Sequence, residues 1–192
     1  IDIHDGVSIE HLVLNDEIVN DTSKSSYRVQ GANLIIFPSN RIAPKSSVKI
    51  NVDWNFSLPI KSRVRMGAYD STSFFVAYWY PQVAVYDDLN GWDMLPFTGE
   101  QEFYNDFNNY EVNIKVPNTI GVWATGELQN VDELLRTDIL SKYNAAKKSE
   151  SVVNIINEED YKIGNPYKTE GEYIVWKFVA KFVPDFAFAT SD

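Results

Sequence analysis

A cluster of acidic residues lies beside this chain's densest run of aromatic residues. In the stretch Phe74 to Asp93, FFVAYWYPQVAVYDDLNGWD, three carboxylates, Asp87, Asp88 and Asp93, fall within seven positions around a Gly91-Trp92 pair, and Glu100 and Glu102 follow. Two carboxylates facing each other across a sugar are the machinery of glycoside hydrolysis. The run Asp87-Asp88-Leu89-Asn90-Gly91-Trp92-Asp93 also has the oxygen ligands and the glycine turn of a loose calcium loop, without EF-hand spacing or a closing bidentate Glu. The plainer expectation is that these loop acids are solvated and hold turns by accepting bonds from nearby backbone N–H groups. His4 and His11, the two histidines, have no His or Cys partner close in sequence and read as surface residues. There is no His-Glu-x-x-His pair, no Gly-x-Ser-x-Gly elbow and no glycine-rich phosphate loop, so acyl transfer and nucleotide chemistry have no visible machinery.

The composition narrows the classes further. A chain of 192 residues is long enough for one domain that buries roughly 70% of its unfolded surface. The net charge of −10 argues against nucleic acid, whose phosphates need clustered Lys and Arg; the one short basic run, Lys61 to Arg65, reads as a solvated strand edge. No apolar run approaches the ~20 residues of a membrane helix, so membrane insertion is not expected. Without cysteine there is no disulfide framework and no thiolate ligand or nucleophile. That fits cytosol or periplasm, with the periplasm or cell envelope favoured over the cytoplasm. The chain opens on Ile1 with no charged and apolar leader behind it, and is expected to be an excised piece.

The dominant period of the sequence is two. Val48, Ile50, Val52, Trp54 and Phe56 alternate with polar residues, as do Tyr110, Val112, Ile114 and Val116, and then Ile174, Trp176, Phe178, Ala180 and Phe182 ahead of Pro184. Shorter strands are expected at Ser8 to Leu14, Tyr27 to Gln30, Asn33 to Pro38, Val64 to Tyr69 and Thr119 to Thr125, with a hairpin at Gln30-Gly31-Ala32. Pro81, which cannot donate to a ladder, is expected at an edge or bulge where a strand leaves its sheet. From Asn130 to Lys148 the period lengthens to that of a helix or helical pair. Asn130 and Glu133 are spaced as a capping box, and Leu134, Leu135, Ile139, Leu140 and Tyr143 form the apolar stripe. The segment Leu89 to Asn109 is a long irregular loop, of a kind often functional. The fold class is therefore mostly β, an antiparallel β-sandwich in one domain, residues 1–192, with a helical insertion near residues 130–148.

The residues also resemble a family. The stretch from Phe74 to Asn130 and the closing WKFVAKFVPDFAFATSD look like the N-terminal β domain of the gluzincin zinc aminopeptidases, the membrane-alanyl aminopeptidase and leukotriene A4 hydrolase family, in a bacterial branch. The resemblance rests on Trp79-Tyr80-Pro81, Tyr86-Asp87-Asp88, Gly91-Trp92, Gly99 to Tyr104, Tyr110 to Pro117, Thr125 to Leu128 and Asp185 to Ala189. It covers residues 64–192 well and the opening hairpins more loosely.

What the resemblance implies is a saddle-like β-sandwich, non-catalytic by itself, that packs on a zinc-bearing catalytic domain expected after residue 192. The partner would be that domain of the same protein, the substrate a peptide, and the zinc would belong to the absent domain, with no cofactor held in this chain. In the family, a Gln or Glu ahead of the aromatic-Pro motif helps hold the free amine of the substrate. This sequence departs there, because between Ala68 and Tyr80 it has neither Gln nor Glu, and offers Asp70 as its one carboxylate and Tyr78 as a polar aromatic. The residues expected to face substrate are Asp70, Tyr78, Trp79 and Trp92. Two other classes stay open: a carbohydrate-binding module stacking sugars on Tyr78, Trp79, Tyr80 and Trp92, and a structural interaction domain of an inactive peptidase homologue.

Overall fold

The structure, a computed structural model, describes residues 6–20, 22–60, 66–96, 103–168 and 170–192. Its elements run β1 (Ser8–Leu14), β2 (Glu17–Ile18), β3 (Ser26–Gln30), β4 (Asn33–Phe37), β5 (Ile50–Asn55), β6 (Gly67–Ala68), β7 (Phe74–Val76), β8 (Tyr86–Asp87), β9 (Gly91–Trp92), β10 (Asn108–Pro117), β11 (Gly121–Ala124), β12 (Glu127–Leu128), α1 (Val131–Leu134), α2 (Thr137–Ala146), α3 (Glu158–Ile163), β13 (Tyr173–Val183) and β14 (Phe188–Ser191). The fold is mostly β and antiparallel throughout its named ladders, a β-sandwich-like class with a small helical part. The chain divides into two compact units, residues 1–59 with 80–106, and residues 60–79 with 107–192.

The first unit is built on the sheet β2-β1-β5, the ribbon β3-β4 and the short hairpin β8-β9. Leu12, Leu14 and Val19 are its buried centre, and Ile9, Tyr27, Leu34, Ile36, Val48 and Val52 pack on them. The alternation in sequence explains the pairs Leu12 with Leu14 and Leu34 with Ile36, because residues two apart share a face. The β3-β4 hairpin turns at Gly31-Ala32, with Gln30 opposite Asn33, where it was expected. A polar pin closes the other end of that ribbon. The Glu17 carboxylate accepts from the Ser25 backbone N–H at 3.0 Å and from the Ser39 hydroxyl at 2.6 Å, and the fully buried Ser25 hydroxyl accepts from the Ser39 N–H at 2.8 Å. His11 lies on the wet face of β1, with Nδ1 3.3 Å from the Asp53 carboxylate and both side chains exposed. His4 lies outside the described residues, as do Lys61 to Arg65.

In the second unit a sheet ordered β10-β13-β12 and a sheet ordered β11-β14-β7-β6 supply the sandwich layers. β10 and β13 pair along almost their whole length, from Asn108 opposite Val183 to Pro117 opposite Tyr173. The buried face of β13 is the expected one: Ile174, Trp176, Phe178 and Ala180, joined by Ile114 of β10. Phe182, expected to continue that face, is instead exposed, because its backbone turns to φ 53° at the end of the strand. Phe186, on the link from β13 to β14, is fully buried, with its ring centroid 5.9 Å from that of Tyr110 and 6.4 Å from that of Phe178.

The helical insertion lies where the longer period placed it, as two helices broken at Leu135-Arg136, with Leu134, Leu135 and Ile139 buried. The expected capping box at Asn130 and Glu133 does not form. Asn130 has a different task. Its carboxamide donates to the Val175 carbonyl at 2.9 Å and accepts from the Lys177 N–H at 3.0 Å, so it stands in for one further residue of β12 along the edge of β13. Replacing it with Ala leaves both of those strand groups unpaired at a buried position. Asn130→Ala should therefore lose about 1–3 kcal/mol in chemical denaturation, whereas a conventional exposed cap would be worth about 1 kcal/mol.

A capping box does occur on α3, a short helix that the apolar periodicity of the sequence does not announce. The Asn157 side chain accepts from Asp160 N–H and the Asp160 carboxylate accepts from Asn157 N–H. Asp160 is buried and also pairs with Lys142 of α2, whose bond holds its carboxyl below the usual carboxylate range against the cost of burial. Arg136 ties the insertion together. It grips the Asp138 carboxylate with two bonds of 2.7 and 2.9 Å, which pull that carboxyl down to about 2, and donates to the carbonyls of Gly164 and Asn165 just past α3. Among the described residues no helix is long and apolar enough to cross a membrane.

Candidate functional site

The four residues expected to face substrate divide between the units. Asp70, Tyr78 and Trp79 belong to the second and Trp92 to the first. Within the second unit, Asp70 and Tyr78 lie at opposite ends of β7. Asp70 sits in the turn from β6 to β7, where its carboxylate accepts from Thr72 N–H at 2.9 Å and Ser73 N–H at 2.6 Å. Those backbone bonds, Thr72 first, hold its carboxyl below the ordinary range. An acid so engaged is shaping a turn.

The strand ends earlier than Pro81 suggested. β7 stops at Val76, and Tyr78 takes a left-handed backbone at φ 52°, which is uncommon for a bulky side chain. The break is therefore set at Tyr78, three residues ahead of the proline. One consequence is the position of Trp79. Its indole Nε1 donates to the Phe186 carbonyl at 2.9 Å and its ring meets Phe188 edge to face at 5.7 Å. Trp79 is thus built into the link between β13 and β14, an aromatic clamp on the core.

Trp92 has a different setting. In the β8-β9 hairpin, Tyr86 stands opposite Trp92 and Asp87 opposite Gly91. Asp87 forms the turn by accepting from Leu89 N–H at 2.9 Å and Asn90 N–H at 2.6 Å, and these bonds, Asn90 first, lower its carboxyl pKa. Gly91 supplies φ 74° on the return. Asp93 repeats the device, accepting from Leu95 N–H at 3.1 Å, while its own N–H donates to the Val85 carbonyl at 2.8 Å and lengthens the hairpin. The Tyr86 and Trp92 rings meet edge to face with centroids 5.1 Å apart, a cross-strand aromatic pair.

The outcome is a hairpin pinned by hydrogen bonds that carries exposed apolar side chains. Trp92 is 54% exposed, Tyr86 64% and Leu89, at the tip, 89%, with Leu95 and Val83 exposed as well. The expected Asx-type turns are present at Asp87 and Asp93. Glu100 and Glu102, with most of the Gly99 to Tyr104 motif, lie outside the described residues, so the paired-carboxylate arrangement has no described second member from them. Among the described residues no three His, Cys, Asp or Glu side chains converge as a metal site requires.

Sequence reasoning chose Trp92 but overlooked Tyr86 as its partner. The signal was available: the two flank a turn read as Asp-Asp-Leu-Asn-Gly, and turn residues of that type set residues on either side opposite one another. Compared with family models, curated proteins and solved structures, the chain has no match.

Proposed function

We propose that this chain is the non-catalytic N-terminal β domain of a zinc metallo-aminopeptidase-like protein, which packs on a catalytic domain outside this chain and helps shape its cleft for peptide N termini. The observation that carries the reading is the hairpin of the first unit. Asp87 and Asp93 are committed to backbone N–H groups, so they are poorly placed to move protons, while Tyr86, Leu89 and Trp92 stand exposed on the hairpin that those bonds hold. Exposed apolar side chains grouped on a rigid element suit a surface that another domain covers. The choice of family in this reading rests on the resemblance of the residue motifs from Trp79 to Tyr104, Tyr110 to Pro117, Thr125 to Leu128 and Asp185 to Ala189. Zinc, in this reading, is bound by the partner domain and activates water there. Of the four substrate-facing residues, Trp92 keeps the strongest case. Asp70 would contribute its turn, and Tyr78 and Trp79 would act by fixing the β7 exit.

The test is hydrolysis of aminoacyl amides by this chain alone and by the full reading-frame product, each with and without a zinc chelator. Turnover should belong to the full product only and should stop with chelation. Turnover by the isolated chain would contradict the reading. Saturable glycan binding by the isolated chain, lost in Trp92→Ala, would replace it with a carbohydrate-binding module.

A further inference from the structure

The third strand of the sheet β10-β13-β12 is short, and this leaves part of a sheet edge open. β12 pairs with β13 only at Glu127 opposite Val179 and Leu128 opposite Phe178. The next rungs are made by Gln129, whose N–H donates to the Lys177 carbonyl at 2.8 Å, and by the Asn130 carboxamide on Lys177 N–H and the Val175 carbonyl. There the covering stops. In a strand, the N–H and C=O of one residue point to the same side, and this side alternates along the chain. Lys177 and Val175 point to the β12 side, so Tyr173 does also. The Val175 N–H and the N–H and C=O of Tyr173 therefore lie on the open edge, with no partner among the described residues.

This edge borders a groove of about 670 Å³. Asn130, Glu133 and Leu134 from the start of the helical insertion line it, and so do Lys168 and Glu170 from the segment before β13, along with Ile174, Val175 and Lys177 of β13 and Asn113 of β10, so the groove runs from the edge over the face of the sheet. The charges are mixed and fixed in part: Lys168 Nζ donates to the Asp132 carbonyl at 2.8 Å, and Lys177 Nζ stands 3.5 Å from the Glu133 carboxylate. The volume falls in the range of ligand pockets.

We infer that this groove binds an extended peptide segment of another protein by strand addition to the open edge of β13. Three main-chain groups in a row form a template for a main-chain partner, which an extended peptide supplies and a small apolar ligand does not. The incoming segment runs antiparallel to β13, on the line that β12 and Asn130 have begun. Its alternate side chains meet Lys168 and Lys177 on one hand and Glu133 and Glu170 on the other, so segments carrying both an acid and a base are preferred. A second copy of this chain would have to bring a whole sheet edge, with its own helical insertion, into a recess that suits a single strand. The inference stands on the geometry of the second unit and is independent of the peptidase reading.

The experiment is selection of random short displayed peptides on the immobilised chain, followed by titration of labelled versions of those enriched. The expected result is saturable binding that weakens about tenfold or more when alternate peptide nitrogens are methylated, and again with Val175→Pro. That variant removes the open-edge donor of Val175 and none of the donors that face β10, which belong to the alternate residues Ile174, Trp176 and Phe178. A melting curve checks its fold. If it does not fold, Lys168→Glu combined with Lys177→Glu serves instead, and should weaken the same peptides. No enrichment, or binding that survives both methylation and the variants, overturns the inference. So does a dimer of the chain in sedimentation that Val175→Pro dissolves, since the edge would then pair two copies.

Discussion

Phe186→Ala should lose about 3–5 kcal/mol of stability, the largest single effect expected in this chain. Phe186 is 0% exposed and sits outside any strand, on the link that carries the chain from β13 into β14. Three layers of contact depend on it. Its ring packs with Tyr110 and Phe178, its carbonyl receives the Trp79 indole N–H, and its own N–H is held by the Asp185 carboxylate at 2.8 Å. Removal of the ring leaves a cavity between strands that already pair along their length, so little collapse is available to fill it. Against a total stability of about 5–15 kcal/mol, the loss is roughly one fifth of the margin at the upper end and nearly all of it at the lower. Phe186→Leu, which keeps most of the volume, should cost about 1.5 kcal/mol or less. Urea denaturation followed by tryptophan fluorescence reads both. A loss below about 1 kcal/mol for Phe186→Ala would mean that the ring is not the keystone described here.

Gly126→Ala is the second large effect. Gly126 turns the chain from β11 into β12 at φ 90°, and an added Cβ would stand 2.8 Å from the Ala180 Cβ and closer still to the Val179 carbonyl. Backbone strain contributes about 1–2 kcal/mol and overpacking a further ~1–3 kcal/mol. The second part has a local consequence, because Val179 is one of the two residues that β12 pairs with. The substitution should push β12 off β13 and expose more of the edge. Gly31→Ala is the matched control: its φ is 59°, but the nearest atom to an added Cβ is 4.0 Å away, so only the strain applies. Equal losses for the two variants in thermal denaturation would show that the close approach at Gly126 does not matter.

Much of the fold was legible in the sequence because it rests on alternation. Ser8 to Leu14, Asn33 to Pro38, Tyr110 to Val116 and Ile174 to Phe182 form strands within a residue or two of the expected bounds, since burying one face of a twisted sheet leaves few other arrangements. The hairpin at Gly31 and the helical stripe from Leu134 to Tyr143 were legible for similar local reasons. What period does not carry is who pairs with whom. Alternation in Gly121 to Ala124 says nothing of its place beside β14, and nothing in it announces two units. The left-handed turns at Tyr78 and Phe182 were equally silent, because neither residue type favours positive φ and the surrounding packing imposes it.

The candidate site followed the same division. Asp87, Asp93 and Asp70 are residue types that form turns wherever backbone N–H groups lie two or three positions ahead, and they do so here. The bare Trp92 could not be distinguished in sequence from the committed Trp79, because exposure is decided by tertiary neighbours. Asn130 misled for a physical reason as well. An Asn ahead of a helix usually caps it, but here a neighbouring strand offers two unpaired backbone groups, and a carboxamide that satisfies both at a buried position outweighs one exposed cap.

The central claim, that this is the non-catalytic partner of a zinc peptidase domain, is tested most directly by determining the reading frame beyond Asp192. The account predicts a His-Glu-x-x-His pair within roughly 100–150 residues, with a further Glu downstream to complete the zinc ligands. A continuing frame that runs past that distance without the pair would contradict it.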